Sequence, residues 1–187
     1  MKQRCHWVTN DPIYIEYHDN EWGRAVYDNQ KLFEMLSLEG AQAGLSWITV
    51  LKRRENYRKA FEQFDPAAVS GFSESKINEL AANEGIIRHR GKIASVVTNA
   101  QAFLQIQQEF GSFSRYIWNF VDGKPIVNNW QSYEEVPAYT KESENMSKDL
   151  KRRGFRFVGP TICYAFMQAT GMVNDHIQGC FLYNGDI

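Results

Sequence analysis

Two cysteine–histidine pairs stand at opposite ends of this chain: Cys5 and His18 near the start, His176 and Cys180, spaced H-x3-C, near the close. Thiolate and imidazole are the ligands a zinc ion takes in tetrahedral sets. If all four share one ion, the chain must return to its own beginning, and everything between must fold as a loop closed at that point. Spacing alone leaves this open. The C-x12-H interval is looser than the ligand spacings of common zinc modules, and four unrelated side chains would read the same way. The third cysteine, Cys163, sits in an apolar stretch and reads as an inert core thiol. Three cysteines are a poor basis for a disulfide framework.

The intervening sequence is patterned for helices. GKIASVVTNAQAFLQI places Ile93, Val96, Val97, Ala100, Phe103 and Leu104 at i, i+3, i+4, i+7 intervals. KLFEMLSLEGAQAGL (Lys31 to Leu45) puts Leu32, Phe33, Met35, Leu36 and Leu38 on a broad apolar face. Ser46 then reads as the N-cap of one helix running from Trp47 to Phe64. Asp65 and Pro66 open a short helix, and Ser73 to Asn83 form another. SFSRYIWNF is a short aromatic helix, and Gly123 to Glu135 is turn-rich. Strand alternation is nowhere sustained, so the fold is expected to be mainly α, a single domain over 1–187.

Hydrophobic residues at 43% and aromatics at 14% suffice for a packed interior. A net charge of −1 excludes polyanion binding by bulk charge, so nucleic acid would need a local basic face. MKQRCHWVTN has no apolar core of a signal peptide, and no run approaches the ~18 apolar residues of a membrane span. A cytoplasmic protein without a membrane partner is the expectation, and monomer follows from the lack of a spare apolar stripe.

SKDLKRRGFRFVGPTICYAFMQATG reads as helix, tight turn, helix, with Gly154 and Gly159 bracketing the turn and Pro160 opening the second helix. Glycines let backbone N–H groups approach an anion, and a helix N-terminus adds free donors. Lys148, Lys151, Arg152, Arg153 and Arg156 crowd this unit. It suits a DNA phosphate, which positions a protein without specifying sequence. Taken by itself it reads first as an αα-hairpin with a solvated basic helix, and RHRGK and KRRENYR as exposed polar faces.

Here a resemblance enters. FVGPT and ATGMVNDH resemble the hairpin and following segment of the helix-hairpin-helix DNA glycosylases. Most of that superfamily reads roughly L-P-G-V-G there, followed by a catalytic aspartate in V-D-x-H. In this chain Phe157 stands where the first hairpin glycine would be, and Asn174 where the aspartate would be. Together with CHWVTNDPIYIEYHDNEWG, FEMLSLEGAQAGLSWITVLKRRENYRKAF and GIIRHRGKI, these departures resemble the DNA-3-methyladenine glycosylase I branch. The likeness runs from Cys5 to Cys180, and Ser112 to Glu142 contribute little to it.

The resemblance implies a helix-hairpin-helix element at about 142–171 and a structural zinc on Cys5, His18, His176 and Cys180, joining the terminal segments. It implies a base pocket on Tyr17, Trp22, Glu39 and Trp47, with Trp7 and Tyr14 as weaker candidates for its lining. Trp47 would stack on a flipped base. Glu39 would accept hydrogen bonds from the adenine edge and favour a cationic lesion, and Tyr17 would add a polar contact. Gly44 belongs to a loop of small residues that could approach DNA, and Leu45 reads either as a wedge into the duplex or as core. Lys151, Arg156, Gly159 and Thr161 are the candidate phosphate contacts. With Asn174 in place of an acid, general-base help is weak, and a monofunctional enzyme is expected, releasing cationic 3-methyladenine, with 3-methylguanine a second candidate, from alkylated double-stranded DNA. Two other readings are a non-catalytic, zinc-stabilised DNA-binding module, and a zinc hydrolase on His18 and His176, which a fourth protein ligand disfavours.

Overall fold

The computed structural model describes residues 2–183. Its first helix, α1 (Pro12–Asn20), was not anticipated, because the stretch mixes aromatic and polar residues without a period. The signal was nonetheless present: Asp11 accepts from the Ile13 N–H and Pro12 opens the helix, the same Asp-Pro device that opens the short helix at Asp65 and Pro66. The buried residues of α1 are Tyr17 and His18, so the inward face of this helix carries functional candidates, Tyr17 packing on the core as well.

Helix α2 (Asn29–Gln42) begins where the Asp28 carboxylate accepts from the Lys31 N–H at 2.8 Å. The expectation was one apolar face, but every residue from Leu32 to Ala41 is buried, Glu34 and Glu39 included. α2 is therefore the enclosed axis of the molecule.

The single helix expected from Trp47 to Phe64 is broken. It forms α3 (Trp47–Leu51), α4 (Arg54–Ala60) and a 3-10 turn over Glu62–Phe64. The break lets Arg54 turn inward. Its Nε donates to Glu34 Oε1 at 2.7 Å and its two terminal nitrogens donate to Glu21 at 2.8 and 2.9 Å. Arg58 adds a bond to Glu34 at 2.8 Å. A buried charge is tolerated only when paired in this way, and the pattern of KRRENYR did not reveal which arginines would be consumed. Ser46 takes the N-cap backbone position, but its hydroxyl pairs with Thr49 Oγ1 instead of capping an N–H.

The next elements follow the sequence closely. They are α5 (Pro66–Ser70), α6 (Glu74–Ala81), α7 (Arg90–Phe110) and α8 (Phe113–Trp118), the first capped by Asp65 as expected and the second by Ser73, which lies just outside the helix rather than within it. α7 packs against α5, α6 and α8 and crosses α2. Phe33, Phe61, Phe64, Phe103 and Phe113 fill the space between them. After a mostly irregular connection come α9 (Lys141–Arg152), with Thr140 and Ser143 in a reciprocal capping box, and α10 (Pro160–Ala169). α9 and α10 pack on each other, and α10 packs on α2. The only strands among the described residues are β1 (Ile126–Val127) and β2 (Val173–Asn174), paired in parallel. This short pairing anchors the connection before α9 to the segment that carries His176.

Beyond α10 the chain turns at Gly171, where φ is +70° and an added Cβ would lie 2.3 Å from the Arg24 carbonyl carbon. Residues 23–26 run directly against this turn, with Gly23 N–H bonded to Gln168 O and Val26 N–H to Thr170 O. No flexible side chain can yield there, because the neighbours are backbone. Gly171→Ala should therefore destabilise the protein by more than ~3 kcal/mol in urea unfolding. Gly123→Ala, at φ +74° with nothing within 4 Å, should cost only ~1 kcal/mol.

Candidate active site and metal cluster

The two ends do meet. Cys5, His18, His176 and Cys180 are all buried, and their ligand atoms lie within 4.8 Å of one another. Three sulfur-to-nitrogen separations, Cys5–His176, Cys180–His18 and Cys180–His176, are 3.6, 3.5 and 3.5 Å. Tetrahedral bonds of ~2.3 Å to sulfur and ~2.0 Å to nitrogen would set such edges at about 3.5 Å. Each imidazole is also oriented from behind. His18 Nδ1 contacts Asp19 Oδ1 at 2.8 Å, and His176 Nε2 contacts the Trp22 carbonyl at 3.2 Å. Arg4 grips the Asp19 carboxylate and is the main reason it titrates at about 2, well below the usual range. A carboxylate or carbonyl behind a ligating histidine is the usual support of a metal ligand, so the donor set fits a closed tetrahedral ion.

Next to this cluster opens a cavity of about 440 Å³, within the range of small-molecule sites. Trp7, Tyr14, Tyr17, Trp22, Glu39 and Trp47 all line it, so the residues singled out by resemblance converge. Trp7 packs edge-on to both Tyr14 and Trp22, and the Tyr17 and Trp47 rings lie 5.4 Å apart. The opposite wall was missed. Thr161, Tyr164, Ala165 and Gln168 come from α10, and Tyr133, Val136, Pro137 and Ala138 from the connection before α9. That connection lies within Ser112–Glu142, which contributed little to the resemblance. Its pocket role carries no motif, because it is an irregular chain presenting small and apolar atoms. Thr161, assigned beforehand to phosphate contact, faces this pocket.

Glu39 is only 4% exposed and makes no hydrogen bond or ion pair among the described residues. Burial alone pushes its carboxyl up to about 8. Tyr17, 2% exposed, is pushed up as well, by burial first and then by the Glu39 and Glu21 charges. Trp47 Nε1 is buried without a partner. An unpaired acid and an unpaired N–H donor in one aromatic cavity are costly to the empty protein and are complementary to a flat ring with both donors and acceptors.

Asn174 is not brought into this cavity. Its Oδ1 accepts from the His176 N–H at 3.1 Å and so shapes the ligand segment. The neighbouring Asp175 is 3% exposed and is fully engaged by hydrogen-bond donors.

The hairpin lies between α9 and α10. Phe157, in the glycine position, adopts the left-handed conformation regardless, at φ +56°. Asn99 on α7 holds the turn, accepting from the Arg156 N–H at 2.9 Å and donating to the Arg156 carbonyl at 3.1 Å. Gly159 is the N-cap of α10, with no atom near an added Cβ, which leaves the helix N-terminus open. Arg152 and Arg153 are paired with Asp149, and Arg153 also with Glu109. Lys148, Lys151 and Arg156 are exposed and form no ion pair among the described residues. Gly44 and Leu45 lie on the exposed loop between α2 and α3, Leu45 being 41% exposed rather than core.

Fold and site together define a mainly helical protein with an aromatic cavity floored by one buried acid, an architecture shared with the DNA glycosylases. A sequence profile of the methyladenine glycosylases matches residues 7–183, and the chain belongs to that family. It is 54% identical to DNA-3-methyladenine glycosylase 1 of Escherichia coli (strain K12), over 98% of each chain. A crystal structure of a 3-methyladenine DNA glycosylase I superposes with a TM-score of 0.94 at 56% identity, covering 96% of this chain and 98% of the other. The 3-methyladenine DNA glycosylase I of Staphylococcus aureus, solved to explain 3-methyladenine recognition, gives 0.92 at 38% identity, covering 95% and 94%.

The buried acid has a measurable signature. Glu39 holds its proton up to about pH 8 in the folded state, whereas an unfolded glutamate ionises near ~4.3. Its preference for the folded state is therefore complete below pH ~4.3 and is lost as pH rises through about 8. In the absence of ligand, Glu39→Gln should raise stability at pH 8–9 by at least ~1 kcal/mol and flatten the decline between pH 5 and 8, as followed by urea unfolding across pH.

Proposed function

We propose that this chain, acting as a single glycosylase domain and as a monomer, is a monofunctional 3-methyladenine DNA glycosylase of base-excision repair, working in the cytoplasm. The observation that carries the reading is Glu39, buried and unpartnered at the floor of an aromatic cavity. A site that keeps a carboxyl at such cost is complementary to a ring that brings both hydrogen-bond donors and positive charge. N3-methylated adenine, still attached to its sugar, is such a ring. Adenine is flat and presents an exocyclic amine, but it lacks the charge.

In this reading the damaged nucleotide leaves the duplex, and its base enters the cavity against Trp47, with Tyr17, Trp22 and Trp7 as the adjoining wall. Glu39 accepts hydrogen bonds from the adenine edge. The cation draws the Glu39 carboxyl toward its ionised form, so the lesion is held by charge where neutral adenine is not. Tyr17, kept protonated by burial, supplies a neutral polar contact. Because the methylated base is already a good leaving group, tight binding of the cation as the bond to the sugar lengthens supplies the main acceleration, and water completes the hydrolysis. Among the described residues no carboxylate but Glu39 lines the cavity and no lysine lines it, in keeping with hydrolysis without strand cleavage. 3-Methylguanine is the second candidate substrate.

Alkylated double-stranded DNA would be gripped by Lys148, Lys151, Arg156 and the open N-terminus of α10 at Gly159, and Leu45 would enter the space left by the flipped nucleotide. Cys5, His18, His176 and Cys180 would hold a zinc ion. With all ligands supplied by protein, the ion supplies folding energy and no open coordination position.

The alternative of a DNA-binding module without chemistry has no use for an unpaired buried acid. Release of free bases from methylated duplex, resolved by chromatography, separates the two. Wild type should release 3-methyladenine and leave 7-methylguanine in place without cutting the strand, and Glu39→Gln should be slower by about tenfold or more while remaining folded. Equal rates would remove Glu39 from the pocket, and no release by folded, metal-loaded protein would leave only the binding module. One zinc per chain is expected by elemental analysis. Its removal by chelator should lower Tm by more than ~5 °C.

A further inference from the structure

Asp175 is a buried carboxylate with no cation among the described residues. Instead its two oxygens are divided between two parts of the chain. Oδ1 accepts from Asn128 Nδ2 at 2.7 Å and from Trp130 Nε1 at 2.8 Å. Oδ2 accepts from the Tyr164 hydroxyl and from Gln168 Nε2 at 2.9 Å. An indole N–H and amide NH2 groups only donate, so both oxygens are committed as acceptors and no capacity remains for a proton-transfer role.

The two sets of partners belong to two separate segments of the cavity wall. Tyr164 and Gln168 on α10 line it directly, and Asn128 and Trp130 begin the connection that supplies Tyr133, Val136, Pro137 and Ala138. That connection has no helix of its own beyond a short 3-10 turn at Tyr133–Glu135. Besides Asp175, it is tied down by the β1–β2 pairing, by the bond from Gln178 N–H to the Trp130 carbonyl, by the bonds that Gln178 Nε2 and the Tyr183 hydroxyl donate to Asn129 Oδ1, and by the His6 ring against Tyr133. None of these reaches α10.

We propose that Asp175 is a positioning residue for the base pocket, a bridge that fixes the distance between the α10 wall and the 128–138 wall and so sets how closely a flat ring is enclosed. The inference rests on the cavity being the base pocket. It separates Asp175 from the Asn174 position at which most helix-hairpin-helix glycosylases carry an acid, and gives it a mechanical task one residue further on.

The test uses full-length, metal-loaded protein and equilibrium binding of free 3-methyladenine at 25 °C, with lesion-free duplex binding, metal content and Tm measured alongside. Trp130→Phe keeps the ring and removes one donor, and Asn128→Ala with Trp130→Phe removes both. Base affinity should weaken about threefold for the single variant and about tenfold for the double, with duplex affinity and metal content unchanged. Asp175→Asn sets an amide donor against other donors and should lose at least as much, and adding Trp130→Phe to it should change little. If Asp175→Asn does not fold, the double variant decides alone. A lowered Tm with unchanged base affinity would overturn the proposal, since a merely structural contact would behave so. Failure of wild type to bind 3-methyladenine would instead overturn the reading of the cavity, and this inference with it.

Discussion

The structure depends on the meeting of its two ends. Cys5 and His18 approach His176 and Cys180 to within bonding reach of a common ion, and both halves of the pocket are built outward from that point. His18 is followed immediately in space by Tyr17 and Trp22, the first half. His176 is preceded by Asp175 and β2, which fix the second half. The arrangement explains why an N-terminal segment with so little core of its own is held firmly enough to present four aromatic side chains. Asp19, Arg4 and the Trp22 carbonyl aim the imidazoles, so the cluster is oriented by the same short segment that it secures.

Against this rigid frame stands a deliberate defect. α2 is buried along ten successive residues, and two of them are acids treated in opposite ways. Glu34 is saturated by Arg54 and Arg58 and is held below its ordinary range by those cations, against the opposing effect of burial. Glu39, little more than a turn later, receives nothing. One helix thus contains both a structural carboxylate and an unsatisfied one, distinguished by the arginines that α4 delivers to the first and by Lys31 one turn before it. The break between α3 and α4 is what makes that delivery possible.

Much of this was legible in the sequence. The helical periods of α2 and α7, the Asp65 and Pro160 start signals, and the hairpin were all visible as patterns. The convergence of Tyr17, Trp22, Glu39 and Trp47 came from resemblance, since no spacing rule links residues on three separate elements. Three things were hidden. α1 has no apolar period because its inward residues serve a site as well as the core. The splitting of the Trp47–Phe64 helix follows from a long-range demand, Glu21 and Glu34 for Arg54, that local propensity does not encode. The 128–138 wall is irregular chain, whose position is fixed by hydrogen bonds to Asp175 and by backbone pairing with β2, and such tertiary bonds leave no periodic trace.

The hairpin also carries a lesson for tracing relatives. Its turn is held by a side-chain amide 57 residues earlier in the chain, where Asn99 brackets the Arg156 peptide on both sides. That clamp lets a bulky aromatic occupy a backbone state usually reserved for glycine. A search that demands glycines in the loop would pass over chains built this way. The more faithful fingerprint is a pair of distant positions, an asparagine midway along a long helix and a non-glycine in the turn, that must change together.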